Sequence, residues 1–269
     1  MRPGFVERTI EDLHRATELS VVAERIAEGE GLLQRIDPRV KLTGTLALIA
    51  AAAIARSLAA LAGLFALAVA VAVASRVPIR TLAARSWIGA LVFSGAIALP
   101  AIALTPGRVI ARPLGIDVTV EGLRTAAFLV ARVETCATLA LLLVLSTPWS
   151  RVLAALRSLR VPVVVVVILG MTYRYVFVLL RSAHDMFVAR RSRTVGLLPG
   201  AERRRIAAAT AGVLLGKTYR MSGEVYLAMQ ARGFRGEVFA LDAGRLRGRD
   251  WVAALFFAVV AGAFAWWGR

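Results

Sequence analysis

Apolar and polar positions fall into long blocks along this chain, and the blocks predict helices. Residues 1–42 are polar and mixed in charge. Thr9, followed by Glu11 and Asp12, reads as a helix start with acids in its first turn. Pro38 reads as the end of an element, with Arg39 and Lys41 as headgroup anchors. From Leu42 to Ala74 only Arg56 interrupts the apolar run. At about 20 residues per span this block holds two spans, turning at Arg56-Ser57. Trp87 to Leu104 predicts a third span, with Pro100 inside it. A loop over 105–121 contains Pro106, Gly107, Pro113 and Gly115. Gly122 to Leu145 predicts a fourth span and Trp251 to Trp267 the last, with Trp251, Trp266 and Trp267 at interface depth.

Between the fourth and last spans the pattern becomes amphipathic. Ser146-Thr147-Pro148 reads as a helix start, a hydroxyl cap followed by proline at the first position. Trp149 to Leu159 then places Val152, Leu153, Leu156 and Leu159 on one face. A second helix begins apolar at Val163. Further on it carries Arg174, Arg181 and Asp185 on one side, and Leu169, Val176, Leu180, Ala183 and Phe187 on the other. It closes in Ala189, Arg190, Arg191 and Arg193, bases suited to a helix C-terminus. Gly196, Pro199 and Gly200 predict a turn. A third helix, Arg203 to Arg232, sets Lys217, Arg220 and Glu224 against Leu214, Met221, Val225 and Ala228. Its Gly212 and Gly216 form a small-residue step that predicts a helix crossing. Ala231-Arg232-Gly233 ends it, with Gly233 as the cap. The fold class expected is an all-α integral membrane protein of about five transmembrane helices, plus cytoplasmic helices that cross each other. Four segments follow: 1–42 as an N-terminal cytoplasmic segment, 43–147 as a four-helix membrane region, 148–248 as the amphipathic region and 249–269 as the last span.

Charge refines the topology. Hydrophobic residues make up 58% of the 269, yet the net charge is +17. Fourteen Lys/Arg and six acids lie between Arg181 and Asp250. Basic loops beside apolar spans mark the cytoplasmic side. The N-terminus, the Arg76–Arg85 loop and the stretch from Trp149 to Arg249 are therefore expected inside, at the inner membrane of the cell. A chain this apolar points to a lipid bilayer and away from nucleic acid. Residues 1–42 lack the apolar core of a signal peptide.

Few residues offer chemistry. Cys136 is the single cysteine, and His14 and His184 lie far apart with no metal-ligand spacing. Arg132 and Glu134 fall at mid-depth of the fourth span, where charge is costly; each is expected to contact another helix. Ala211 to Thr218 resembles a relaxed phosphate-binding loop ending in Lys217. Its flanks continue a helical pattern, whereas a working loop of this kind joins a strand to a helix. A membrane ATPase using Lys217, or a self-contained channel or secondary carrier, are the competing functional readings.

Three motifs carry a family resemblance: Arg35-Ile36-Asp37-Pro38-Arg39-Val40-Lys41-Leu42, Thr147-Pro148-Trp149, and Leu227-Ala228-Met229-Gln230-Ala231-Arg232-Gly233-Phe234. With them, residues 5–267 resemble the transmembrane T component of energy-coupling-factor transporters, nearest the cobalt/nickel-type branch (CbiQ-like). The resemblance implies a non-catalytic subunit that binds no cofactor itself, ATP being held by its partners. It implies two crossing coupling helices, each ending in an Ala-Arg-x motif that docks on one of two ABC-type ATPase subunits. It also implies a separate substrate-binding (S) membrane subunit. Ala231-Arg232-Gly233 matches the second motif. For the first, Ala189-Arg190-Arg191 and Ser192-Arg193-Thr194 both fit, leaving Arg190 and Arg193 open.

Overall fold

The structure is a computed structural model and describes residues 5–29, 31–105, 108–111, 118–193, 199–234 and 247–268. It is helical almost throughout. The helices are α1 (Phe5–Ala27), α2 (Pro38–Ile54), α3 (Leu58–Ala74), the short α4 (Ile79–Leu82), α5 (Ile88–Leu104), α6 (Val120–Ser146), α7 (Trp149–Ser158), α8 (Val163–Arg191), α9 (Gly200–Ala231) and α10 (Gly248–Trp267). The 105–121 segment, expected as loop, contains a two-stranded antiparallel ladder, β1 (Val109–Ala111) with β2 (Val118–Thr119). The chain divides into two compact units: Met1–Ala23 with Leu156–Ala243, and Glu24–Ala155 with Gly244–Arg269. The segment 1–42 is thus shared between them, and α10 belongs with the first spans.

The membrane unit holds α2, α3, α5, α6 and α10. The break at Arg56-Ser57 is where the sequence predicts it: α2 stops at Ile54, and Ser57 Oγ accepts the Ala60 amide at 3.2 Å to start α3. Pro38 does not end an element. It opens α2, with the Asp37 side chain accepting the Arg39 amide at 2.8 Å. A proline at this position loses no bond, because the first amides of a helix have no partner within it.

Helix α10 runs parallel to α2. The Asp37 amide donates to Asp250 Oδ1, a Cβ on Gly44 would meet the Phe257 ring, and the Arg56 amide donates to the Gly268 carbonyl. The offsets are 213, 213 and 212 residues. Such constancy means that two straight helices lie side by side in one register. Gly44 makes this possible, because any side chain there would overlap the Phe257 ring.

Helix α6 contacts α2, α3 and α5. Its buried residues Thr135, Thr138, Leu139, Leu142 and Leu145 recur at helical spacing, which makes one inward stripe. Thr119 Oγ1 caps it by accepting the Gly122 amide at 3.1 Å. Trp87 Nε1 donates to Thr138 Oγ1 at 3.1 Å.

In the other unit α1, α8 and α9 meet. Val6, Phe187 and Ile206 are buried together, with Phe5, Ile10 and Leu13 packed around them. Thr9, expected as a helix cap, lies within α1 and donates to the Phe5 carbonyl at 2.9 Å. Phe5 and Phe187 stack edge to face at 6.3 Å. One turn back along α8 and three turns on along α9, Lys217 Nζ donates to Ser182 Oγ at 2.7 Å. These two points make α8 and α9 antiparallel.

By length and composition α6, α8 and α10 can each cross a membrane, while α3 and the stretch Ile88–Ile102 are shorter apolar helices. Helix α8 was expected wholly on the cytoplasmic side. Its most apolar 18-residue window has a mean hydropathy of 2.3, and none of that window is buried within the chain.

Candidate functional site

Each of the two long antiparallel helices ends in a basic tip. At the end of α9, Ala231 is the last helical residue and Arg232 the cap. Gly233 adopts φ +78, a left-handed conformation that glycine reaches without Cβ strain. The Gly233 amide donates to the Gln230 carbonyl at 2.9 Å and the Phe234 amide to the Met229 carbonyl at 3.0 Å, closing the helix. The Arg232 side chain is exposed, with no ion-pair partner among the described residues.

At the end of α8, Ala189, Arg190 and Arg191 occupy the last turn and Ser192 caps it. Ser192 Oγ donates to the Ala189 carbonyl at 2.9 Å. The Arg193 amide donates to the Arg190 carbonyl at 3.0 Å, three residues back. Arg232 repeats that bond, its amide donating to the Met229 carbonyl at 3.2 Å. Arg193 and Arg232 each follow a small residue and lie beyond the last helical residue, Arg232 as the cap of its helix and Arg193 one position past the cap of its own. Arg191 is engaged differently: its Nη2 lies 3.5 Å from Glu7 Oε1 of α1.

Because the helices are antiparallel, the tips lie at opposite ends of the pair. Ile206 is level with Phe187 near the first tip, and Arg232 lies 26 residues further along α9, about 40 Å at 1.5 Å per residue. The crossing expected at Gly212 and Gly216 falls beside a contact of the two helices, Lys217 with Ser182, but not on the glycines themselves. A Cβ on either glycine would find nothing within 4 Å. Contact is made by Phe187, Ile206, Ser182 and Lys217 instead.

Beyond that contact lies an apolar cleft of about 470 Å³, bordered by Ile168, Met171, Tyr175, Met221, Val225 and Met229. Leu215, Tyr219 and Leu227 of α9 are also exposed. Residues 211–218, the phosphate-loop lookalike, are continuous helix within α9. Their amides point along the helix axis and do not converge on a common point.

In the membrane unit, Arg132 Nη2 donates to the Ala55 carbonyl at the end of α2, at 2.8 Å, and its guanidinium stands 4.7 Å from the Phe128 ring centroid. The contact with another helix expected of Arg132 is made. Glu134 differs: both carboxyl oxygens are buried with no hydrogen-bond partner among the described residues. Lys41, expected as a headgroup anchor, is 2% exposed and donates from Nζ to the Ser146 carbonyl at 2.8 Å. No group of three or more His, Cys, Asp or Glu is placed to hold a metal among the described residues.

Residues 29–240 match the family model of the cobalt transport protein CbiQ. An uncharacterized protein of Methanocaldococcus jannaschii is 31% identical over 97% of this chain and 90% of its own length. The energy-coupling factor transporter transmembrane protein EcfT of Listeria innocua is 26% identical over 91% of this chain and 97% of its own. The cobalt transport protein CbiQ of Rhodobacter capsulatus is 34% identical over 48% of this chain and 53% of its own length.

Proposed function

The chain belongs to the CbiQ family of cobalt transport proteins, and on that premise we propose that it is the coupling subunit of an ATP-driven importer of the energy-coupling-factor type. Two ABC-type ATPase subunits bind its two arginine tips from the cytoplasm. A separate substrate-binding membrane subunit rests on its exposed apolar helices. ATP-driven closure of the ATPases displaces the tips, and the rigid α8–α9 pair carries that displacement to the substrate-binding subunit.

The observation that supports this reading is the pair of arginine tips at opposite ends of one antiparallel helix pair. A separation of about 40 Å suits two protein partners side by side, one tip to each. Arginine is apt for the role: its guanidinium makes paired, charge-assisted bonds to a carboxylate in a fixed orientation. At the first tip we assign the docking residue as Arg193, because like Arg232 it follows a small residue and lies beyond the last helical residue, whereas Arg190 lies within the last turn. Arg190 is the alternative. The Met-bordered cleft between α8 and α9 offers an adaptable apolar surface to the substrate-binding subunit. Cobalt or nickel is the substrate class favoured by the family, with vitamins as the alternative. The protein works in the inner membrane, with its N-terminus and tips cytoplasmic.

The test is co-purification and uptake in cells that express the chain with the ATPase subunits encoded beside it. Arg232→Glu and Arg193→Glu should each lose ATPase subunits and uptake while the chain still inserts, and Arg190→Glu should retain both. Full uptake in Arg232→Glu overturns the coupling role. Loss in Arg190→Glu together with retention in Arg193→Glu reassigns the first tip. Transport by the chain alone in liposomes would favour a self-contained carrier.

A further inference from the structure

The membrane unit encloses a cavity of about 820 Å³ among α2, α3, α6 and α10. That volume is in the range of small-ligand sites, roughly 300–1,000 Å³. Its wall is apolar, built from Leu48, Leu64, Leu67, Leu139, Leu142 and Val252, with Arg35, Arg76 and Arg249 also lining it. Among the described residues no carboxylate lines it, and the lining Lys41 amine is bonded to the Ser146 carbonyl.

The three arginines come from one end of the unit. Arg35 lies just before α2, Arg76 just after α3, and Arg249 in the first turn of α10. The parallel register of α2 and α10 and the hairpin of α2 with α3 bring these positions to a common level. Their placement runs against local preference. Arg76 has φ +55, a left-handed backbone uncommon outside glycine. It follows Ser75, whose carbonyl accepts Gln34 Nε2 at 3.3 Å, and a Cβ on Gly31 would overlap that same carbonyl. Arg249 sits at the N-terminal end of α10, where the helix dipole disfavours a cation. Together the three guanidinium groups give this end of the cavity a positive charge that an anion would complement. The side of the cavity formed by Val252 and Phe256 is exposed, 70% and 46%, so a hydrocarbon chain can enter laterally from the bilayer.

We propose that this cavity binds an anionic phospholipid, its acyl chain among the leucines and its phosphate held by Arg35, Arg76 and Arg249. Basic pockets between membrane helices recognise acidic lipid headgroups in this way. All three side chains are exposed, so replacing them leaves the packed core intact. The proposal needs only that the chain spans a membrane, and it stands or falls separately from the coupling role.

The test is native mass spectrometry of the full chain in mild detergent, titrated with phosphatidylglycerol or phosphatidylcholine of equal chain length. The wild type should bind phosphatidylglycerol at least ten-fold more tightly. The triple variant R35Q/R76Q/R249Q should lose that preference while its phosphatidylcholine binding is unchanged. The control R203Q/R204Q/R205Q, which removes three exposed bases from α9, should keep it. Leu142→Trp, which fills the cavity, should weaken both lipids. Equal binding of the two lipids by the wild type, or a preference that survives in R35Q/R76Q/R249Q, overturns the proposal. Displacement of the lipid by millimolar inorganic phosphate overturns the lipid assignment and leaves a free-phosphate site.

Discussion

Lys41 Nζ donates to the backbone carbonyl of Ser146 at 2.8 Å, joining positions 105 residues apart in the buried interior of the membrane unit. The bond fixes the start of α2 against the end of α6. Lys41→Met removes the donor and leaves a buried carbonyl unpaired, at a cost of about 1–3 kcal/mol. The expected outcome is a lower thermal midpoint in detergent, read by size-exclusion after heating. Lys41→Arg should also be destabilised, because a planar guanidinium does not fit a site shaped for a compact ammonium. A midpoint equal to that of the wild type in Lys41→Met would mean the bond contributes nothing.

Gly44 is a point of tight approach between α2 and α10. Gly44→Leu should cost at least 1–3 kcal/mol, roughly the range for overpacking a tight contact, because even its Cβ would overlap the Phe257 ring. Phe257→Ala should recover much of the loss in the double variant. The measurement is folded yield and thermal midpoint for both single variants and the double. Additive losses would show that the two sites do not share a contact.

Asp250 accepts two backbone amides, Asp37 through Oδ1 at 2.9 Å and Arg247 through Oδ2 at 2.8 Å. It thus caps its own helix and receives the start of α2. Asp250→Ala should destabilise by about 2–4 kcal/mol, the sum of a lost helix cap and a bond to a charged acceptor. Asp250→Asn keeps one acceptor oxygen and should fall between that variant and wild type in thermal midpoint.

Arg132 and Glu134 lie two residues apart in α6 and should respond in opposite directions. Arg132→Leu strands the Ala55 carbonyl, so it should lower the thermal midpoint. Glu134→Leu removes two buried oxygens without partners among the described residues, and should raise it by an amount corresponding to about 1–3 kcal/mol. If uptake falls while stability rises, the carboxyl group serves transport at the expense of packing.

Local pattern carried much of this architecture. A single arginine followed by serine marked the turn between α2 and α3, because it is the one charge in that apolar block and a capping hydroxyl follows it near the block's middle. Gly233 was legible as a cap because left-handed backbone selects glycine. Pro38 was misread because proline ends helices more visibly than it begins them, although the preceding Asp37 is a good capping residue. The ladder of Val109–Ala111 with Val118–Thr119 was hidden by the Pro/Gly-rich composition around it, although β-branched residues supply both strands.

What depended on distant partners was not legible. A lysine at the edge of an apolar run reads as a headgroup anchor unless Ser146 is known to be beside it. Gly212 and Gly216 carry the spacing of a crossing point whether or not a helix lies against them. The arginine tips themselves were visible as motifs. Their separation was not, since it follows from the antiparallel register set by Ser182 with Lys217. Nor did the sequence show that Glu7 engages Arg191, which distinguishes that arginine from Arg193.

The pairing of α2 with α10 also sets an order of assembly. More than 200 residues of chain separate Asp37 from Asp250, so a ribosome synthesises that whole stretch before Gly44 meets Phe257. Until then the nascent hairpin presents a bare groove to lipid or to the insertion machinery. A stall or cleavage ahead of residue 248 would leave that groove open.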